Sequence, residues 1–383
     1  MAYADADGYL DGDPDFGTPC TDPSAGCCPR RWGLWGGVEY LIWWERGTQL
    51  PPLVTTSPAI TPREVAGVLG EPLTETLFGG ERVDDNSRSG GRLTVGVWID
   101  AAETSGIGAR FFSLEEGSVG FAADENDFAI LARPFFNVVT DEDDALLISY
   151  PEELRGSVDA QVTSDFLATD VFFRRVFRET CNSRTEWLAG YLFTRIDNDL
   201  RVANELEFIS DGGRVPQGSI IDTLDVFDVR NTFHGGEIGI IRQSQDGPFM
   251  LEIMTRIAFG NMRQVVETSG RTITVIPDVN PVSTEGGLLT QTSNIGTFER
   301  DVFTVVPELG VTLSWALSEC LDLSVGYSLI YWNHVAQVGD QIDLNVNLTQ
   351  QTGQPVGPLA PELVVRDSDY WLQGVNLGLH WRF

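Results

Sequence analysis

Lysine is missing from this chain, and all 25 basic residues are arginine. A phosphate-binding P-loop needs its lysine and a Schiff-base enzyme needs its amine, so both are excluded. Histidine is nearly as scarce, with His234, His334 and His380 the three copies. Positioned bases are most often histidines, and no Gly-x-Ser-x-Gly nucleophile motif accompanies these. His334 opens the last long connection, not far from Asp340 and Asp343, a thin basis for a hydrolase; the expectation is a non-enzyme. Five cysteines, Cys20, Cys27, Cys28, Cys181 and Cys320, show no zinc-ligand spacing. No run of about 18 uncharged apolar residues occurs, which excludes transmembrane helices of the usual kind. No secretion-signal pattern opens the chain, so an exported protein would have to carry a processed or trimmed start.

The residues that are present point elsewhere. Fifty-six acids against 25 arginines leave a net charge of −31 in 383 residues. Such a surface repels the phosphates of nucleic acid. A mean hydropathy of −0.06 is neutral, as a transmembrane β-barrel would be, because its strands alternate apolar with polar residues. Period-2 segments of about ten residues dominate, as that fold requires. At the C-terminus Trp371, Val375, Leu377, Leu379, Trp381 and Phe383 share one face, and Gly374, Asn376, Gly378, His380 and Arg382 the other. Near the start, Trp32, Leu34, Val38, Tyr40, Ile42 and Trp44 share a face opposite Glu39. An aromatic last residue after such a strand is the form of signal that outer-membrane insertion machinery reads, here Trp381 and Phe383.

The connections alternate. Short ones fall near 100–106, 178–184, 244–248 and 317–320; long ones fall near 45–91, 116–164, 197–226, 260–301 and 334–369. Short periplasmic turns and long external loops are the outer-membrane pattern. The expectation is one closed antiparallel transmembrane β-barrel of about ten strands over residues 32–383. If 199–209 and 263–276 are membrane strands, the count is about twelve. Residues 1–31 read as an acidic periplasmic arm. Cys181 and Cys320 fall in short turns on the side of Cys20, Cys27 and Cys28, where disulfides are permitted, so a tether between arm and turn is one reading and free thiols the other.

Several stretches resemble the planctomycete outer-membrane β-barrel porins, the seventh porin family of that label. They are Tyr40-Leu-Ile-Trp-Trp44, Pro51-Pro-Leu-Val-Thr-Thr-Ser-Pro58, Leu77-Phe-Gly-Gly80, Arg88-Ser-Gly-Gly-Arg-Leu-Thr-Val-Gly96, Leu131-Ala-Arg-Pro-Phe-Phe136, Leu188-Ala-Gly-Tyr191, Phe233-His-Gly-Gly-Glu237, Gly286-Gly-Leu-Leu289 and Gly339-Asp-Gln-Ile-Asp343. The resemblance implies an outer-membrane barrel with a porin role and transfers no binding or catalytic residue. One departure is Leu192, where the family often has a basic residue.

Parity places Glu39, Arg92, Arg110, Asp170, Arg174, Glu186, Glu237, Glu252, Arg256 and Glu308 in the lumen. Near-balanced signs imply ion pairs that fill a narrow interior, since unpaired buried charge is costly. Trp32, Tyr40, Trp44, Trp315, Tyr331, Trp371 and Trp381 suit aromatic girdles facing membrane lipid. The run Asp5, Asp7, Asp11 and Asp13 loosely resembles a calcium loop but lacks the closing glutamate, so Ca²⁺ there competes with a plain acidic arm. Two functions fit: small solutes or cations pass through a narrow lumen, or a non-conducting surface barrel acts through its acidic external loops. The solute, the oligomeric state and any loop partner are not legible in the sequence.

Overall fold

The computed structural model describes residues 33–211, 215–351 and 354–382. In chain order its strands are β1 (Leu34–Glu45), β2 (Thr48–Gln49), β3 (Val54–Thr56), β4 (Glu75–Phe78), β5 (Arg82–Val83), β6 (Ser87–Trp98), β7 (Ser105–Leu114), β8 (Gly117–Asp124), β9 (Leu131–Asn137) and β10 (Glu142–Ser149). They continue as β11 (Leu154–Thr180), β12 (Ser183–Phe208), β13 (Ile220–Asp246), β14 (Phe249–Val275), β15 (Val282–Glu285), β16 (Gly296–Ala316), β17 (Leu321–Val335), β18 (Asn345–Val346) and β19 (Ser368–Arg382). Among the described residues no helix is long and apolar enough to cross a membrane.

Ten staves close into a ring, in the order β12-β13-β14-β16-β17-β19-β1-β6-β7-β11 and back to β12. All neighbouring pairs are antiparallel, and the first and last strands close it through eleven paired positions from Trp35↔Arg382 to Glu45↔Leu372. Closure leaves no open edge at membrane depth, which a barrel in lipid requires. The outer face carries an unbroken cross-strand row, Phe111–Leu93–Val38–Leu379–Leu323–Trp315–Phe249. All seven of these side chains are exposed. A continuous exposed apolar belt of this kind needs lipid, not water, against it.

Four staves are far longer than a membrane needs. β11, β13 and β14 have 27 residues each, against about 9–11 for a spanning strand. In β12 the outer face reads Trp187, Ala189, Tyr191, Phe193 and then Arg195, Asp197, Asp199, Arg201, while the inner positions Leu200, Val202 and Leu206 are buried. The apolar face thus switches from outside to inside near residue 194. Below that level the sheet meets lipid, and above it the sheet wraps its own core in water. The expected loops at 116–164, 197–226 and 260–301 are therefore largely strand. Residues 199–209 and 263–276 largely extend β12 and β14 and add no staves, so among the described residues the count is ten and not twelve. At the other end the connections are tight; the turn from Asp246 to Phe249 takes Gly247 at φ +58°, a left-handed conformation that glycine adopts without strain.

The external connections fold inward. A second sheet runs β10-β9-β3-β4, with β18 beside β9. Leu50, Leu53, Val54, Leu131, Phe135, Ile148, Leu288, Leu289, Ala336, Val338 and Val346 from these connections pack with Val158, Val162, Leu200, Val202, Phe227, Val229 and Val266 from the barrel wall in one buried cluster. The outer half of the barrel therefore encloses a plug.

Candidate functional site: the filled lumen

The lumen is layered, and register builds its middle layer. Glu39 stands directly across from Arg92, Arg110 from Asp170, and Arg256 from Glu308. Arg110 donates from Nε to Asp170 Oδ2 at 2.6 Å and, bidentately, to the two oxygens of Glu308 at 2.5 and 2.7 Å. Arg256 donates to Asp170 Oδ1 at 3.0 Å and to Glu237 Oε1 at 3.2 Å. Arg92 reaches Glu39 Oε2 at 3.3 Å. Three guanidiniums thus meet four carboxylates in a buried layer, leaving one formal negative charge in excess. Pairing and charge-assisted hydrogen bonds are what make such burial tolerable.

Toward the short turns lies a cavity of about 560 Å³, lined among others by Trp35, Arg174, Glu186, Glu252 and the turn residue Cys181. Arg174 pairs with Glu186, and its guanidinium lies 4.6 Å from the Trp35 ring and 4.9 Å from Trp98. Glu252 accepts from Gln243 at 2.7 Å. The ten charged residues expected in the lumen take inward positions: seven form the ion-pair layer, of which Glu39, Arg92, Arg110 and Arg256 also line this cavity, and Arg174, Glu186 and Glu252 complete its wall toward the turns.

Toward the outside, the ion-pair layer abuts a dry one. Arg92 lies 5.1 Å from the ring of Trp43, and Arg110 lies 5.1 Å from Phe112. Leu41, Trp43, Phe112, Phe166, Leu192, Ile196, Phe233, Met262, Val306, Ile330, Trp332, Tyr370 and Leu372 form one buried cluster drawn from around the ring. Leu192, where a basic residue was expected from the family, belongs to this apolar layer. Its rings touch in sequence: Trp43–Phe112 at 5.8 Å, Phe112–Phe166 at 5.6 Å, Phe166–Trp332 at 5.7 Å and Trp332–Tyr370 at 5.7 Å. Phe166 sits on β11 and Trp332 on β17, five steps apart in either direction around ten staves. Their rings therefore meet across the full diameter. Sequence reasoning assigned the lumen's charges and missed this seal, although the inward parity of Phe112, Phe166 and Trp332 was there to read.

The other expected positions divide. Tyr40, Trp44 and Trp315 are exposed on the outer face, and Tyr331, Trp371 and Trp381 take outward positions with half-buried side chains. Trp32, Phe383 and the Asp5, Asp7, Asp11 and Asp13 run lie outside the described residues, as do the arm 1–31 and Cys20, Cys27 and Cys28. Cys181 and Cys320 are both disulfide-bonded, which overturns the free-thiol reading for these two. His334 pairs not with Asp340 or Asp343 but with Asp367, at 3.3 Å. His234 bonds Tyr191 Oη at 2.6 Å on the lipid side. Among the described residues no group of three or more histidines, cysteines and acids is placed to hold a metal.

The family model described as "Putative beta barrel porin-7 (BBP7)" matches residues 35–383. The chain belongs to that family. No curated protein matches it. Similar solved structures include the outer membrane protease OmpT from Escherichia coli, at 9% identity and a TM-score of 0.43, covering 92% of this chain and 97% of that one. The translocator domain of the autotransporter NalP from Neisseria meningitidis aligns at 8% identity and a TM-score of 0.24, over 92% and 88% of the two chains. The toluene transporter TodX of P. putida aligns at 7% identity and 0.22, over 92% and 90%. Likenesses this distant carry no functional argument, so the reading of this BBP7 barrel rests on its family and its own geometry. The family makes it an outer-membrane β-barrel protein, and the closed ring with its exposed apolar belt is the architecture of one.

Proposed function

We propose that this BBP7 protein is an outer-membrane channel that is shut at rest. The family carries a porin description, and the ring of ten staves is the frame such a channel needs. The Phe166–Trp332 contact supports a closed state, because it joins opposite walls of the barrel inside a buried apolar layer that a hydrated ion would have to wet. The plug above is continuous with this layer, since Trp332 and Val335 of the layer run directly into Ala336 and Val338 of the plug, so the two act as one barrier that fails when either part is removed. When opened, the channel passes small solutes or cations past the charged layer of Arg92, Arg110, Arg256, Glu39, Asp170, Glu237 and Glu308. The exposed belt engages membrane lipid. Planar-bilayer recording of the detergent-extracted protein tests the reading: a silent bilayer with verified insertion is expected, and steady discrete steps at low voltage would refute it.

A second reading has its own support. The outer half carries far more structure than a pore requires, and Val356, Leu359 and Val364 are exposed there. A surface barrel acting through this head would stay silent even after both the lumen seal and the plug are cut away, and that outcome separates the two.

A further inference from the structure

The plug is joined to the barrel wall by apolar contacts and by two buried ionic junctions: Asp84 with Arg88 of β6, close neighbours in the chain, and Asp225 with Arg133, which ties distant segments together. Asp225, on the inner face of β13, is completely buried, and so is Arg133 of β9. Arg133 Nη2 stands 2.7 Å from Asp225 Oδ2, and its Nη1 donates to Asn204 Oδ1 of β12 at 3.0 Å. The same carboxylate accepts the backbone N–H of Leu288, Leu289 and Thr290 at 3.2, 3.0 and 2.8 Å, and the Thr290 hydroxyl at 2.6 Å. Gly287 makes this approach possible, since a Cβ there would lie 2.2 Å from Asp225 Oδ1. One carboxylate therefore gathers three parts of the molecule: the wall, the β9–β10 hairpin and the connection 286–294. Two of the stretches that carry the family resemblance, Leu131–Phe136 and Gly286–Leu289, meet here.

An apolar pair would hold a plug at least as well, because desolvation consumes most of what a buried ion pair gains. What an ion pair adds is a sharp dependence on both partners. Remove one, and the other is left charged and buried without compensation, so the packed state gives way. We propose that Arg133 and Asp225 are the latch of the plug, and that the closed channel opens when this junction parts. The proposal rests on the closed-channel reading above and adds the element that controls it.

The experiment records planar-bilayer currents from the full chain and four variants, each first shown to be a folded barrel by heat-modified gel mobility. The wild type is expected to be silent, and Asp225→Asn and Arg133→Met to give discrete steps. The double variant Arg133→Met/Asp225→Asn, which removes both charges and keeps Oδ1 to accept from Leu289 and Thr290, is expected to be silent again. Val229→Ala, which trims a buried wall residue facing the same plug, is the control for general loosening and is expected to be silent. If Asp225→Asn does not fold, Arg133→Met decides: steps uphold the latch, and silence overturns it. Equal conductance in Val229→Ala and Asp225→Asn, or in the double variant and the single ones, also overturns it. Steps in the wild type refute the closed-channel reading itself, and the latch with it.

Discussion

At the scale of single residues, the lumen is decided by register. A sequence shows that Arg110 and Asp170 face inward, but not that they stand opposite each other. That follows only once β7 and β11 pair. Arg110 is the hub, bonded to Asp170 and to Glu308 together. Arg110→Ala should leave two buried carboxylates without their cation and cost about 3–5 kcal/mol. Urea unfolding of the detergent-solubilised barrel would measure this, and a loss below about 1 kcal/mol would mean that water reaches the layer and screens it. The dry layer behaves differently, because its rings carry no charge to strand. Phe166→Ala and Trp332→Ala should each cost about 3–5 kcal/mol as cavities. Combined, they should also turn a silent barrel into a leaky one, since the contact they remove crosses the lumen. A silent double variant would place the barrier in the plug alone.

At the scale of elements, the strands follow one rule below residue 194 of β12 and its mirror image above. In the belt the apolar side faces out, so Trp187, Tyr191 and Phe193 announce a barrel strand. Past the belt Leu200, Val202 and Leu206 turn the apolar side in, and the segment reads as a soluble hairpin. That inversion is why the parity of the lower staves was legible in the sequence and the height of the upper ones was not. The plug was hidden for another reason. Its strands are two to eight residues long, too short for periodicity to show, and β9 contains Pro134. The ring's hydrogen-bond ladder does not include β9 and β10. Replacing residues 126–149 with a short Gly-Ser linker should therefore leave a heat-modifiable barrel that conducts. A deletion that abolishes the barrel would make the plug part of the folding core. The tall wall also carries a strain that can be titrated. On its outer face Asp199 stands across from Asp228, and Asp228 across from Glu267. Burial, and then the charges of Asp228 and Asp197, push the Asp199 carboxyl up to about 6 from its usual 3.8. Burial and Glu267 raise Asp228 as well. The folded state thus holds the Asp199 proton more tightly than the unfolded one. Its contribution to stability is complete below about pH 4, is lost as pH rises through about 6, and is flat above. Asp199→Asn should erase that slope and stabilise the barrel near pH 8 by about 1 kcal/mol or less, the group being half exposed. Melting curves at pH 5 and pH 8 would show it, and an unchanged difference between the two would assign the slope to other carboxylates.

At the scale of the whole molecule, charge and architecture bear on what an opened barrel would select. The chain's net charge of −31 is spread over surfaces that salt screens, since the Debye length is about 8 Å at physiological ionic strength. Selectivity therefore belongs to the buried charged ring of the lumen, where permeant ions come close to fixed groups. That ring is the layer of Arg92, Arg110 and Arg256 against Glu39, Asp170, Glu237 and Glu308. Its excess of one carboxylate predicts a weak cation preference, read as a reversal potential of cation sign for the plug-deleted barrel in a salt gradient. Glu237→Gln makes the ring neutral by formal count and should bring the reversal potential close to zero. It is the better choice than Glu308→Gln, because Glu308 forms the bidentate pair that positions Arg110, whereas Glu237 makes one longer bond, 3.2 Å, to Arg256. An anion-favouring potential in the plug-deleted barrel would move the selective ring down to the arginines of the periplasmic cavity, Arg174 and Arg184, which stand over Trp98.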